Sequence, residues 1–135
     1  MEFNIRQLNP SDYDDILVGW WKDWGWKEAP AKDFLPNDGQ GGVIVFNEDI
    51  PVCAGFLYVG SNAQVAWIEW IVSNKKVKEN RKEALNYLLE SLILYCKELN
   101  MKYVFASNNN IHLINRFEEL GFIKGSTSTE LIKKI

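Results

Sequence analysis

Histidine occurs once in this chain of 135 residues, as His112, and cysteine twice, as Cys53 and Cys96. A single histidine leaves almost no way to assemble the usual ligand sets, so no metal is expected. The two cysteines lie far apart without paired spacing. They read as reduced core residues of a strand and a helix, not as a disulfide framework. No apolar run approaches the ~20 residues that cross a bilayer. Met1 to Arg6 lack a basic stretch followed by an apolar one, so no signal peptide is expected either. Charge of one sign is also scarce: 15 basic residues against 18 acidic give a net charge of -3. That argues against a bulk electrostatic grip on nucleic acid. The expectation is a cytoplasmic domain with neither a membrane nor a nucleic-acid partner.

What is plentiful is apolar and aromatic. Hydrophobic residues make up 47% and charged ones 24%, which excludes a disordered chain. The length suits one domain over residues 1–135, large enough to bury roughly two-thirds of its unfolded surface. Six tryptophans are present, and Trp20, Trp21, Trp24 and Trp26 fall within one short stretch.

Phe3 to Leu8 alternates as a half-buried strand does. Asn9-Pro10-Ser11 breaks it, and Ser11 is placed to cap a helix carrying Tyr13, Ile16, Leu17 and Trp20. Residues 22–42, rich in glycine and proline, read as a loop. Val43–Phe46 and Val52–Val59 flank the turn Asn47-Glu48-Asp49 as a hairpin. Val65–Val72 is almost continuously apolar, as expected of a central strand covered on both faces. Asn80–Leu99 is the strongest helix, with a leucine stripe and an Asn80/Glu83 pair resembling a capping box. Tyr103–Ala106 reads as a strand and Asn110–Leu120 as a helix closed by Gly121. Phe122–Ile123 and Glu130–Ile135 supply the last strands. The fold class is α/β, a mixed sheet with helices on its faces.

Three features could carry chemistry. Glu69 lies inside the apolar run Val65–Val72, where an unpaired buried charge costs several kcal/mol. It therefore faces a cleft, finds a cation or takes up a proton. A carboxylate between tryptophans has a raised pKa, as a general base for an ammonium substrate requires; an edge position or a structural ion pair is the plainer alternative. Lys75, Lys76, Lys78, Arg81 and Lys82 crowd the start of the long helix, where cations are unfavourable unless an anion sits there. Free N–H groups at such a start bind phosphate, though a solvated basic loop gives the same pattern. In the third segment, Asn108 to Phe122, periodicity turns Ile111, Ile114, Phe117 and Leu120 inward and His112, Arg116 and Glu119 outward. Asn110 fits an N-cap.

The element order and the ending Asn110…Phe117-Glu118-Glu119-Leu120-Gly121-Phe122 resemble the GNAT superfamily of N-acetyltransferases. Ile68-Glu69-Trp70-Ile71-Val72 is similar to the family's fourth strand, and the resemblance spans essentially the whole chain. It implies a GNAT-like acyl-CoA N-acyltransferase fold and acetyl-CoA as co-substrate in a wedge between splayed strands. Ile71 and Val72 would offer backbone groups to the pantetheine arm. Lys78, Arg81 and Lys82 would hold the pyrophosphate, with Asn110 and Phe117 also on the cofactor side. Glu69 would be the catalytic base for an amine that attacks the thioester directly, and many relatives are dimers, a homodimer here using the tail after Gly125. Two positions depart from the family pattern. The phosphate loop usually holds glycines, whereas Asn80-Arg81-Lys82-Glu83-Ala84-Leu85 holds none. The tyrosine often credited with protonating the thiolate is replaced by Phe117.

On the acceptor side, Trp21, Asp23 and Trp26 offer flat aromatic faces and a carboxylate, which suit a cationic amine. Trp20 and Trp24 are expected instead to pack the first helix on the sheet. The acceptor is an amine of a small molecule, a peptide or a protein. The alternative is a catalytically impaired descendant that keeps the fold as a CoA-binding or protein-interaction module.

Overall fold

Alternation places Phe3 and Ile5 on one side of the first strand, and the backbone follows. In the computed structural model, which describes residues 2–135, β1 spans Phe3–Gln7. The strand hands over to an ion pair between an exposed arginine and a buried aspartate. Arg6 Nη1 and Nη2 grip both oxygens of Asp12, at 2.7 and 3.0 Å, and the Asn9 backbone N–H adds a third bond at 2.8 Å. Asp12, not Ser11, therefore heads the helical segment. The Ser11 hydroxyl bonds to Asn9 Oδ1 instead. A π-helical turn, Tyr13–Leu17, runs directly into α1, Val18–Asp23.

After the loop, β2 (Gly42–Asn47), β3 (Ile50–Val59) and β4 (Val65–Ser73) form an antiparallel meander. The long helix α2 covers Arg81–Glu98. β5 (Tyr103–Phe105) lies parallel to β4, and α3 (Ile111–Glu119) follows. The sheet is mixed, five-stranded and ordered β1-β2-β3-β4-β5.

Two apolar layers hold it. On one face Leu88, Leu89, Leu92 and Cys96 of α2 meet Val45, Cys53, Leu57, Ala66 and Ile68. On the other, Leu17, Trp20 and Trp21 meet Ile44, Ala54, Phe56 and Val72. Each such fully buried side chain contributes roughly 1.5–3 kcal/mol. Both cysteines are free and buried in the first layer.

The strand covered on both faces is β3, in which every residue from Val52 to Leu57 is buried. β4 instead alternates, with Ala66, Ile68 and Val72 buried and Trp67, Glu69, Trp70 and Ile71 partly exposed. Its outer neighbour is short, so its outer half is less covered. The expected strands at Phe122–Ile123 and Glu130–Ile135 do not form. Phe122 turns inward against Phe117, ring centroids 4.9 Å apart, and Ile123, Leu131, Ile132 and Ile135 stay exposed. Residues 125–129 carry no apolar side chain to anchor a hairpin there. Among the described residues no helix is long and apolar enough to cross a membrane.

Candidate active site

β4 and β5 share only three rungs, Val65 to Trp67 against Tyr103 to Phe105. Beyond them the chain leaves the ladder, and a cleft of about 830 Å³ opens. Its size is that of small-molecule and cofactor sites. Ile71, Val72 and Ser73 at the end of β4 form one wall, and the start of α2 forms another. Trp21, Trp24 and Trp26 close one side, and the stretch from Asn108 to Arg116 closes the other.

The start of α2 is unusual. Asn80 is left-handed, with φ 60° and ψ 18°, and its side chain makes no capping bond. The capping box expected of Asn80 and Glu83 is thus absent, because a left-handed backbone turns the side chain away from the helix. First-turn N–H groups of α2 are left without a side-chain acceptor. Asparagine tolerates this conformation better than other side-chain-bearing residues. Lys78, Arg81, Lys82 and Arg116 line the cleft against one carboxylate, Glu83. In a chain of net charge -3 this is a local reversal of sign, and it favours an anion.

A bulge shapes β4 beside this wall. Ala54 faces Val72 and Phe56 faces Glu69, so Gly55 alone spans Trp70 and Ile71. Trp70 takes up the extra length with φ 57°, a conformation rare for a bulky residue. A bulge also leaves backbone groups out of the ladder. Glu69, just before it, is half-buried. Burial pushes its carboxyl up to about 7, the Ser107 backbone N–H pulls the other way, and the Glu130 charge adds to the rise. Glu69 is not among the residues lining the cleft; it stands beside it, next to the aromatic wall.

That wall is continuous. Trp21 stacks on Phe56 at 6.4 Å, and Trp26 and Phe34 both meet Trp70 edge-on, at 6.1 and 5.8 Å. The Trp70 indole N–H donates to the Tyr58 hydroxyl at 2.9 Å, and that hydroxyl donates to the Phe34 carbonyl at 3.1 Å. Trp21 is buried, and its own Nε1 has no partner.

The cleft brings together Ile71, Val72, Lys78, Arg81, Lys82, Asn110, Trp21 and Trp26. Asp23 and Phe117 lie outside it. Asp23 is exposed, and its backbone carbonyl accepts from Lys75 Nζ at 3.3 Å. Phe117 is core, packed on Phe122. Asn110 has its side-chain oxygen occupied as the N-cap of α3, accepting from the His112 and Leu113 N–H groups at 3.0 and 3.3 Å.

Sequence reasoning missed Trp24, Ser73 and Arg116. Trp24 is 41% exposed and lines the cleft, where packing of α1 on the sheet was expected. Arg116 gives Nη2 to Glu119 at 2.8 Å, while its buried Nη1 has no partner. Periodicity placed that residue on the outward face, and only the return of α3 toward α2 turns outward into cleft-lining.

No family model matches the sequence, and no curated protein matches it. Solved structures do share the fold. Glucosamine-6-phosphate N-acetyltransferase from Arabidopsis thaliana superposes with a TM-score of 0.68 at 13% identity, covering 99% of this chain and 100% of that one. AAC(6')-Iy, in complex with the bisubstrate analogue CoA-S-monomethyl-acetylneamine, gives 0.67 at 12% identity over 100% of both chains. A transcriptional regulator from Bacillus halodurans gives 0.72 at 14% identity, over 98% of this chain and 100% of its own. The chain has the GNAT-like acetyltransferase fold, a mixed five-stranded sheet with flanking helices.

Proposed function

We propose that this chain is an acetyl-CoA-dependent N-acetyltransferase that acts on an amine of a small molecule, a peptide or a protein. One observation carries the reading: four cations and an uncapped helix start share a cleft with the end of β4, which has no β5 partner there. The donor set fits a polyphosphate joined to an amide-bearing arm. Two structures of the same fold support it, one of a glucosamine-6-phosphate N-acetyltransferase and one holding a CoA-containing bisubstrate analogue.

In this reading Lys78, Arg81 and Lys82 hold the phosphates, together with N–H groups of the first turn of α2. Ile71 and Val72 offer backbone groups to the amides of the arm, and Asn110 borders it. When bound, the coenzyme supplies an acetyl group on a thioester. Trp21 and Trp26 face the acceptor, where indole rings attract an ammonium group. Glu69 takes the proton from that ammonium. A carboxyl near 7 is half ionised at neutral pH, so it accepts the proton and sheds it again each cycle. The amine nitrogen then bonds to the acetyl carbon as the C–S bond breaks, sulfur leaves as thiolate, and the surplus proton on nitrogen passes through water to that thiolate. A backbone N–H at the Trp70 bulge stabilises negative charge building on the carbonyl oxygen. The two free thiols suit a reducing, cytoplasmic setting.

Phe117 favours a second reading. Phe117 has no proton to give and lies in the core outside the cleft, as in a protein that keeps CoA binding or partner binding and has lost turnover. Calorimetry with acetyl-CoA, followed by thiol release against an amine library, separates the two. Micromolar binding that weakens on changing Lys78, Arg81 and Lys82 to Ala, with thiol release, is the expected result. Binding without release selects the CoA-binding module, and no binding overturns the enzyme in favour of a protein-interaction module.

A further inference from the structure

Lys75 and Arg81 converge on one indole. Lys75 Nζ lies 5.1 Å and the Arg81 guanidinium carbon 5.4 Å from the Trp24 ring centroid. Trp24 is fixed from below, since its N–H donates to the Ser73 carbonyl at 2.8 Å. Lys75 also donates to the Asp23 carbonyl at 3.3 Å, and Arg81 Nη1 to the Val77 carbonyl at 3.3 Å. Neither cation has a carboxylate partner among the described residues. Two like charges gathered on one ring repel, and a polyanion between them removes that repulsion. A guanidinium lying on an aromatic face still presents donors at its rim.

We infer that Trp24 is a positioning residue for a phosphoanhydride ligand: it holds Lys75 and Arg81 as a two-cation clamp and couples the filling of that clamp to the order of the acceptor side. The inference rests on the reading above and adds Lys75 to the phosphate site. The coupling follows from connectivity. Trp24 closes the C-terminus of α1, where its backbone N–H bonds to the Trp20 and Trp21 carbonyls, both at 3.2 Å, and Trp26 bonds back to the Trp21 carbonyl at 3.1 Å. Drawing the two cations onto phosphate fixes both against the ring and restrains the loop that carries Trp26. By reciprocity, an acceptor that orders the loop raises coenzyme affinity by the same factor.

Calorimetry with CoA and hydrogen exchange over residues 22–35 test this on the whole protein. Wild type is expected to gain protection in that window when CoA binds. Trp24→Phe keeps an aromatic face but loses the bond to the Ser73 carbonyl, and should retain more affinity than Trp24→Leu. Trp24→Leu should bind CoA roughly three- to thirtyfold more weakly, the span of a cation–π contact, and show no added protection. Lys75→Met, an exposed change unlinked to folding, should also weaken binding and flatten its salt dependence. CoA affinity equal to that of wild type in both Trp24→Leu and Lys75→Met, or unchanged exchange in wild type, overturns the clamp. Absence of CoA binding to wild type overturns the functional reading instead. Inorganic pyrophosphate, read by tryptophan fluorescence and the same exchange window, then decides the clamp by itself: quenching and protection that Lys75→Met abolishes uphold it, and silence ends it.

Discussion

Phe56 faces Glu69 across the β3–β4 ladder, so the carboxylate of the inner strand stands beside an aromatic side chain on the same face. One residue away the register slips at Gly55, and Trp70 and Ile71 bulge past it. The anomaly of a charge within an apolar strand is thereby resolved. The carboxyl is half-buried, shifted upward and next to the cleft.

Kinetics should report that shift. The acid limb of kcat/KM is expected near pH 7, set by Glu69. Glu69→Gln should remove the limb and lower turnover roughly a hundredfold or more, chiefly below the acceptor's own pKa. Glu130→Gln should move the limb to lower pH, because a negative neighbour that favours the protonated form has gone. A limb that survives Glu69→Gln rejects the assignment.

Stability should carry the same signature with a definite sign. Unfolded, the Glu69 carboxyl titrates near 4.5; folded, at about 7. Between those values the folded state holds the proton more tightly, so stability falls as pH rises. Urea midpoints of wild type and Glu69→Gln should therefore diverge from pH 5 to pH 8, with the variant gaining on wild type.

Asp12 works in the opposite direction. Burial alone would raise its carboxyl, but the Arg6 guanidinium and the Asn9 N–H outweigh it and hold it below the usual carboxylate range. The stability contributed is full above that range and lost as pH falls through the lowered value. Asp12→Asn should cost roughly 1.5–3 kcal/mol at neutral pH, as for hydrogen bonds to a charged group. Thermal melts at pH 7 and at steps down through the acid range check both the size and its decline.

Asn80 offers a test of backbone strain at the phosphate end. Asn80→Gly relieves a left-handed residue and should be neutral or mildly stabilising, with CoA binding retained. Asn80→Ala should lose about 1–2 kcal/mol, the cost of the left-handed region for a residue with no local hydrogen bond to offer. Paired denaturation curves for the two variants measure the difference.

Local periodicity made most of this architecture legible. The leucine stripe of α2 and the alternation of β1 are short-range signals, and their observed bounds fall within a residue or two of those expected. The tail escaped the same logic, because alternation says which residues a strand would bury, not whether a partner edge exists. Asp12 displaced Ser11 as the head of the helical segment through Arg6, a partner on the preceding strand that no capping pattern contains. Trp24 depends on Ser73, Lys75 and Arg81, some fifty residues along the chain, so its position could not be read locally. The left-handed Trp70 violates local preference altogether, and only the β3 register requires it.

β2, β3 and β4 follow one another through the turn at Glu48-Asp49 and a short connection after Val59. Pairings between neighbours in the chain form early, and synthesis releases the N-terminal part first. The stretch from Asn108 to Arg116 emerges last, after α2 is complete. On the ribosome the groove is therefore an open shelf before it is a cleft. A chain ending at Asn100 carries the basic floor, with the opposite bank still to be made.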